Sequence, residues 1–375
     1  MLALALVGAA QAAVLPDDRA DLFYSTYKGG GMNIGGKSIL VRKKFAESFS
    51  VQANYFIDTV SGASIDVLSN ASTIHDERKQ KSLSLDYIRG KTSYNVSYSN
   101  SKETDYVSDT AHFSLSQDMF GDLTTVTLGY TRGWDKVSQR SGTTISPVGQ
   151  ADRRSYDAGI SQVITKNLLS SLSLEVITDE GFLNNPYRFT RYVDPTSGTG
   201  WGQQPEVYPR TRTSTAVTVR AKYYLWYRAA ASASYRYFTD TWGIRGNTFE
   251  LGYTHPVSNR WIFEGRLRLY KQGPANFYSD LFPRRDALNF IGRDKDLAGS
   301  KNTTIGAKVT YAFLPEGWKF FKRGTVTLDL SRIQFKYDDF RNIKDYGIGN
   351  GFPPGSEPLY KFNANVLQIY ASMFF

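Results

Sequence analysis

Apolar and polar residues alternate with a period of two along most of this chain. In one run the first set is Phe49, Val51, Ala53, Tyr55 and Ile57, and the second set is Ser50, Gln52, Asn54, Phe56 and Asp58. Similar runs recur at 83–87, 94–98, 125–130, 168–176, 217–225, 263–269 and 305–313. This period predicts β-strands with one apolar face. Segments of about 10 residues are long enough to cross a bilayer at a tilt.

The last stretch, KFNANVLQIYASMFF at 361–375, carries the same pattern to the final residue. One of its faces is wholly apolar and includes Leu367, Ile369, Met373 and Phe375. These four resemble the C-terminal signal that the assembly machinery of the bacterial outer membrane reads. Considered by itself, the stretch also fits an edge strand or tail of a soluble β-protein, since such patterns occur in both classes.

The connections between the alternating segments differ in length in a regular way. Short connections are predicted at 46–48, 89–91, 120–122, 165–167, 226–228, 257–260 and 314–321. Longer connections lie between them, at 61–79, 101–106, 136–152, 179–211, 240–244, 272–299 and 338–359. Short periplasmic turns and long extracellular loops are typical of outer-membrane barrels.

These patterns predict an all-β fold, a transmembrane antiparallel up-and-down barrel. Counting back from Phe375 gives fifteen strands after Gly36, and bacterial single-chain barrels have an even number. Leu22–Lys28 therefore supplies a further strand, for 16 in total, with 14 or 18 as alternatives. We expect residues 14–375 to form one domain in the outer membrane of a Gram-negative cell.

Composition agrees with export and membrane insertion. Only 41% of the residues are hydrophobic, and no run approaches the roughly 20 apolar residues of a membrane-spanning helix. Residues 1–13 read as a signal peptide, with a short apolar run before the A-x-A-like site Ala10–Ala12. No Lys or Arg precedes that run, so its basic region is expected to be truncated.

The net charge of +10 suggests an anionic counterpart. The basic residues alternate with apolar ones and form no runs, so we expect no nucleic-acid binding. Outer-membrane lipid and lipopolysaccharide, an anionic solute or an acidic partner are the expected counterparts.

The alternation also assigns charged side chains to the inward face of the barrel. A predicted basic wall consists of Arg220, Lys222, Arg236, Arg266, Arg268 and Lys308. A predicted acidic wall consists of Asp58, Asp86, Asp157 and Glu175. Facing walls of opposite charge would orient and select small or anionic solutes in a pore. Alternatively, these charges pair with one another and hydrate or plug a structural lumen.

Catalysis and cofactor binding are not expected. The chain contains three His and no Cys, and His112 with Ser114 is the one pair resembling a nucleophile and base. Both point inward, away from lipid substrates. Loop carboxylates at Asp179, Asp280 and Asp338 show no spacing typical of calcium sites. We expect them to form ion pairs with loop arginines, and no metal site.

Several stretches resemble the domain of unknown function 3570 family of Gram-negative outer-membrane proteins. They include AVLPDDRAD at 13–21, SILVRKKF at 38–45, SQDMFGDLTTVTLGYTRGWD at 116–135 and ITDEGFLNNPYR at 177–188, with others at 205–214, 238–256 and 277–290. The resemblance implies location and no established activity. It also implies an association with extracytoplasmic redox or metal-related systems. A second hypothesis is therefore a barrel that exports or anchors a small secreted peptide or lipoprotein.

Overall fold

A computed structural model describes residues 14–62, 74–314, 317–346 and 351–375. Its main element is a closed antiparallel barrel of sixteen strands, each paired with its neighbours around the ring. The predicted fold class and strand number are therefore confirmed. The predicted signal peptide at 1–13 lies outside the described residues.

The barrel strands follow the chain in order around the ring, interrupted only by one hairpin in a loop. They are β1 (Arg19–Gly29), β2 (Met32–Phe45), β3 (Phe49–Gly62), β4 (Ile74–Arg89), β5 (Thr92–Lys102), β6 (Tyr106–Met119), β7 (Thr124–Ser141), β8 (Thr144–Thr165), β9 (Leu168–Gly181), β12 (Thr211–Tyr224), β13 (Ala230–Asp240), β14 (Arg245–Pro256), β15 (Trp261–Gln272), β16 (Ser300–Ala312), β17 (Arg323–Arg341) and β18 (Leu359–Phe374). The hairpin consists of β10 (Phe189–Val193) and β11 (Trp201–Pro205), which form a separate two-stranded sheet. Short helical turns occur at Lys295–Leu297 and Ile343–Tyr346.

The last strand closes the barrel. β18 pairs with β17 on one side and with β1 on the other, and the second pairing runs from Arg19 opposite Phe374 to Gly29 opposite Ala364. β1 contains the predicted first strand Leu22–Lys28. Because each of the sixteen barrel strands has two partners along its described residues, the barrel has no edge strand open to another chain.

The two faces of the barrel differ in chemistry. Large apolar side chains such as Leu22, Ile39 and Leu83 are exposed on one face. On the other face polar side chains bond across strands, as Ser38 does when it donates to Asn54 at 2.7 Å. In a closed barrel the exposed apolar face is the outer one, suited to lipid, and the polar face lines the interior.

The two ends of the barrel carry different connections. One end, called the short-turn end here, has connections at 46–48, 90–91, 120–123, 166–167, 225–229, 257–260 and 313–322. The opposite end, called the long-loop mouth, carries long connections at 182–210, 273–299 and 342–358. Other connections at this mouth are short, at 103–105 and 241–244, so the predicted alternation in length holds only in part.

The prediction of a long loop at 136–152 was wrong. β7 continues to Ser141 and β8 starts at Thr144, joined by a tight turn in which Gly142 has φ 62°. On the same face of this hairpin, Arg132 and Arg154 both pair with Asp152, at 2.7 and 3.0 Å. Strands that project beyond the membrane meet water on both faces, so they need no apolar alternation, and the period-two signal is lost there.

The predicted loop at 61–79 is also shorter than expected, because β4 begins at Ile74. The connection at 63–73 lies outside the described residues. In the part of the chain that the structure describes, no helix is long and apolar enough to span a membrane.

Candidate functional site: inner wall and loop cap

The inner wall contains an ion pair that passes over an intervening strand. Arg266 on β15 donates from Nη1 and Nη2 to the two carboxylate oxygens of Asp329 on β17, at 2.8 and 2.9 Å. β16 lies between these strands, and its residue opposite Arg266 is Gly306. A Cβ atom at Gly306 would stand 2.7 Å from Arg266 Nε. The missing side chain therefore makes room for the guanidinium.

Two more members of the basic wall are paired with carboxylates. Lys308 Nζ lies 2.7 Å from Glu264 Oε1, and Arg236 Nη2 lies 2.6 Å from Glu175 Oε2. Glu175 belongs to the predicted acidic wall. The two walls therefore meet in the region of β9, β12 and β13, rather than facing each other across the lumen at this position.

The other three members of the basic wall are Arg220, Lys222 and Arg268. Among the residues that the structure describes, none of the three forms an ion pair with a carboxylate. Lys222 Nζ lies 5.6 Å from the Tyr224 ring centre, and the Arg268 guanidinium lies 5.5 Å from that of Tyr270. Such cation–π contacts hold the side chains in place, and the aromatic rings supply no negative charge.

The acidic wall is largely neutralised. Asp58 accepts two hydrogen bonds from Arg78, at 2.9 and 3.0 Å. Asp86 accepts from Asn95 at 2.6 Å and lies 3.8 Å from Arg42 Nη2. Sequence reasoning missed Arg78 because it assigned this residue to a loop.

Asp157 and His112 lie on the same inner face. Asp157 accepts a hydrogen bond from Ser155 at 3.2 Å, on its own strand. His112 Nδ1 is 2.8 Å from Thr131 Oγ1 on the neighbouring strand. His112 therefore contacts Thr131 and not Ser114, which sequence analysis paired with it. Ser114 lies two residues further along β6.

The four residues of the predicted assembly signal lie along the barrel seam. Leu367, Ile369 and Met373 share the outer face of β18, opposite Leu330, Leu328 and Gly324 of β17. The Phe375 ring stacks on Phe320 with centroids 5.1 Å apart, and Lys43 Nζ lies 5.1 Å from the Phe375 centroid.

A loop assembly crosses the long-loop mouth, and we call it the loop cap (182–210, 273–299, 342–346 and 351–358). Tyr187 donates a hydrogen bond to Asp105 in the β5–β6 turn, while Arg191 bonds Glu357 in the β17–β18 loop. Around the ring, ten strands lie between these two connections on one side and six on the other. Tyr187 and Arg191 are four residues apart, which is at most about 14 Å of chain. The chain between them therefore crosses the mouth.

Four buried charged side chains hold the loop cap together: Arg191, Arg293, Asp280 and Glu357. Arg191 bonds both acids, and its Nη1 lies 2.5 Å from Glu357 Oε1. Arg293 Nη2 lies 2.9 Å from Asp280 Oδ1. Burial by itself would raise the pKa of Glu357, but the hydrogen bonds and charge of Arg191 hold it below its ordinary value. Each long loop contributes to the cluster, so none can leave without exposing a buried charge.

Beside this cluster lies an aromatic core with a protonatable carboxyl group. Tyr208, Trp242 and Phe277 pack with ring centroids 5.2–5.5 Å apart. Glu206 accepts from Tyr208 Oη at 2.5 Å and from the Arg293 backbone N–H at 2.6 Å. Burial, together with the nearby charge of Asp294, raises the pKa of Glu206 to about 7.

Ion pairs between loop acids and arginines were expected from the sequence, and Arg191 with Asp280 is one. Asp179 pairs with Arg153, and Asp338 pairs with Lys301. Arg293 and Glu357 were missed, although Glu357 sits in the proline-rich stretch 353–358, which indicates an ordered loop. Elsewhere at this mouth, Asp76, Glu103 and Asp105 place carboxylate oxygens within 4.8 Å of one another.

Sequence comparison places the chain in a family. The sequence model of the family described as Protein of unknown function (DUF3570) matches residues 67–158 and 132–323, more than half of the chain. The chain belongs to this family. The stretches that resemble it at 116–135, 177–188, 205–214, 238–256 and 277–290 fall within the matched residues. No curated protein matches the chain in sequence.

The DUF3570 chain shares its architecture with solved outer-membrane barrels. A bacterial polysaccharide outer membrane secretin aligns with a TM-score of 0.50 and 9% identity, covering 96% of this chain and 100% of that one. CdiB from Acinetobacter baumannii aligns at 0.49 and 8% identity, covering 95% and 60%. OccK2 from Pseudomonas aeruginosa, solved with glucuronate, aligns at 0.44 and 9% identity, covering 97% and 100%. At these identities the likeness is one of fold: an outer-membrane β-barrel.

Proposed function

We propose that this DUF3570 barrel is a gated passage for small anionic solutes across the outer membrane. The observation that carries this proposal is the group of three inner-wall cations, Arg220, Lys222 and Arg268, that lack a carboxylate ion-pair partner in the described residues. Paired charges mainly cancel at a distance, whereas unpaired cations keep a positive potential in the lumen.

The register of the strands keeps these cations close together. Arg220 lies opposite Ser234, Ser234 opposite Glu250, and Glu250 opposite Arg268. One carboxylate is thus flanked by two guanidinium groups on the same face. Lys222 follows two positions along β12, about 7 Å from Arg220. This arrangement favours anions that pass along β12–β15, whereas Asp58 and Asp86 on the opposite wall are paired with arginines.

The loop cap supplies the gate in this proposal. Its buried ionic cluster links three loops across the mouth, so a solute passes through gaps in the cap or after part of it opens. Hydrogen-bonded buried charges resist opening strongly when intact. We therefore expect low conductance in the resting state and larger openings when the cluster is disrupted.

Planar-bilayer recording tests the proposal. The reversal potential in a chloride gradient should show anion preference, and the triple variant R220Q/K222Q/R268Q should reduce the anion-to-cation permeability ratio by about threefold or more. The matched control is K102Q, which removes an exposed cation from the outer face of β5. Cation preference in the native barrel, or an equal change in both variants, would refute the proposal.

A second candidate function is a barrel that binds a partner, exporting or anchoring a small secreted peptide or lipoprotein. The ordered loop cap favours it, because a mouth crossed by a buried ionic cluster suits a closed barrel filled from the periplasmic side. Native purification distinguishes the two. A stoichiometric small acidic partner, together with no conductance before or after cap disruption, would support the anchor and exclude the pore.

A further inference from the structure

Four lysines form a row on the outer surface, near the long-loop mouth. Lys271 on β15 lies opposite Lys301 on β16, Lys301 opposite Lys336 on β17, and Lys336 opposite Lys361 on β18. All four side chains are exposed. They belong to the outer set of positions, because their neighbours Ser300, Tyr337 and Tyr360 belong to the inner set. We call this group the lysine row.

Such a row is unfavourable in an isolated barrel. Like charges directly opposite each other across strands repel and destabilise the sheet. Within the described residues, Lys301 alone among the four has a carboxylate partner, Asp338 at 3.1 Å. Three positive charges thus remain without a carboxylate partner, on β15, β17 and β18, which indicates an anionic counterpart outside this chain.

A groove lies just below the lysine row, on the same outer face. It encloses about 500 Å³ across β16, β17, β18 and β1. Its apolar lining comes from the outward side chains of Ile305, Leu330 and Leu367. Ile305 and Leu330 are 65% and 50% exposed, as expected of residues that contact acyl chains.

The upper edge of the groove is basic. Arg332 lies opposite Asn365, and Asn365 lies opposite Lys28, so these three form a second polar row, level with Ile305 and above Leu330 and Leu367. Arg332 precedes Lys336 by four residues, which places the two rows roughly 13 Å apart along β17. The surface thus offers acyl-chain contacts below, and cations at two heights above them.

We propose that the lysine row and this groove form a binding site for the phosphorylated glycolipid of the outer leaflet, the lipid A part of lipopolysaccharide. Its acyl chains would fill the groove between Ile305, Leu330 and Leu367. One phosphate would be bound by Arg332 and Lys28, and the second phosphate by the lysine row. A glycerophospholipid, with one phosphate, could engage one of the two rows.

Native mass spectrometry of the detergent-purified barrel tests this site, with bis-phosphorylated lipid A as the probe. Lipid A should bind in preference to dephosphorylated lipid A and to phosphatidylglycerol. The variant K271Q/K336Q/K361Q should bind it about tenfold more weakly or worse, while K271R/K336R/K361R keeps the charge and should retain binding. Heat-modifiable migration on gels verifies that each variant is folded.

A matched control removes three exposed cations from another part of the outer face, in K79Q/K81Q/K102Q on β4 and β5. This control should retain lipid A binding. Equal weakening in both glutamine variants would overturn the site, since any basic rim would then suffice. Equal binding of phosphatidylglycerol, or full binding by the folded K271Q/K336Q/K361Q variant, would also overturn it. The outcome does not depend on whether the barrel conducts solutes.

Discussion

Arg191 and Glu357 are joined by two hydrogen bonds of 2.5 and 3.1 Å, although 166 residues separate them in the chain. One lies in the β10–β11 hairpin and the other in the loop before β18. Their contact joins all three long loops, because Asp280 from the loop at 273–299 bonds the same guanidinium. The three long loops therefore meet at one buried guanidinium, that of Arg191.

Removing that cation should open the loop cap. In R191A, Glu357 stays buried without its ion-pair partner, while Asp280 keeps Arg293 as its ion-pair partner, and breaking a buried pair costs about 3–5 kcal/mol. We expect faster proteolysis within 182–210 and larger single-channel conductance. Limited proteolysis and bilayer recording measure the two effects. The control is R285A, which should leave the loop cap closed. Arg285 is exposed, and its one carboxylate contact in the described residues is at 3.7 Å, to the exposed Asp286. A closed, protease-resistant cap in R191A would contradict this account.

The stability of the loop cap should fall as pH rises from about 4.5 to about 7. Glu206 has an ordinary pKa of 4.5, and burial in the cap raises it to about 7. Within that window the closed cap holds a proton that the open cap loses, so closing is favoured at lower pH. This shift in the pKa of Glu206 corresponds to a change of about 3 kcal/mol at most in the free energy of closing the loop cap. Hydrogen-exchange protection factors at Gln204 and at 206–208 exclude the intrinsic pH dependence of exchange. Their difference between pH 5 and pH 8 measures the effect, which E206Q should abolish.

Glu357 has the opposite effect on the pH dependence of loop-cap stability, because its pKa is lowered in the closed cap. Its contribution is present above the ordinary pKa of 4.5 and is lost as pH falls below that value. E206Q should therefore retain opening at strongly acidic pH while losing the change between pH 5 and pH 8. An unchanged slope between pH 5 and pH 8 in E206Q would rule out Glu206 as the titrating group.

A methyl group at Gly306 should disrupt the inner wall. In G306A the new Cβ would stand 2.7 Å from Arg266 Nε and 2.8 Å from Ser331 Oγ, so the guanidinium must leave Asp329. We expect a loss of about 1–3 kcal/mol in unfolding free energy, measured by urea titration in lipid vesicles. G265A is the matched control, because nothing lies within 4 Å of a Cβ there. Equal stability of the two variants would refute the crossing pair.

The role of Phe375 in assembly can be separated from its packing. Deleting Phe375 should reduce the amount of folded barrel in the outer membrane, as expected for an assembly signal. F320A removes the aromatic ring that stacks on Phe375 at 5.1 Å but keeps the terminal residue. Folded barrel is measured by heat-modifiable migration in membrane fractions. Normal insertion of the truncated chain, or an equal defect in F320A, would argue against a signal function.

Much of the barrel was predictable, because its cause is local. Lipid on one side and polar contacts on the other impose a period of two on each strand. Alternation therefore predicts the strand number, the first strand at Leu22–Lys28 and the inward positions of Arg266 and Lys308. The pattern is absent at 136–152, where β7 and β8 leave the membrane and neither face must be apolar. Alternation alone therefore predicts a loop where the structure has the ends of two strands.

The tertiary structure alone decided which inward charges pair and how the mouth is crossed. Arg266 reaches Asp329 because Gly306 leaves space between them, a fact about three adjacent strands that alternation along one strand does not contain. Likewise, Arg191 meets Glu357 and Asp280 only because ring closure brings loops from distant strands over one opening. Period-two patterning assigns a side chain to a face, whereas the closed ring determines its neighbours. Alternation along the chain thus predicts the barrel and its two faces, whereas ring closure and strand register set the contacts of the loop cap, the unpaired cations and the lysine row.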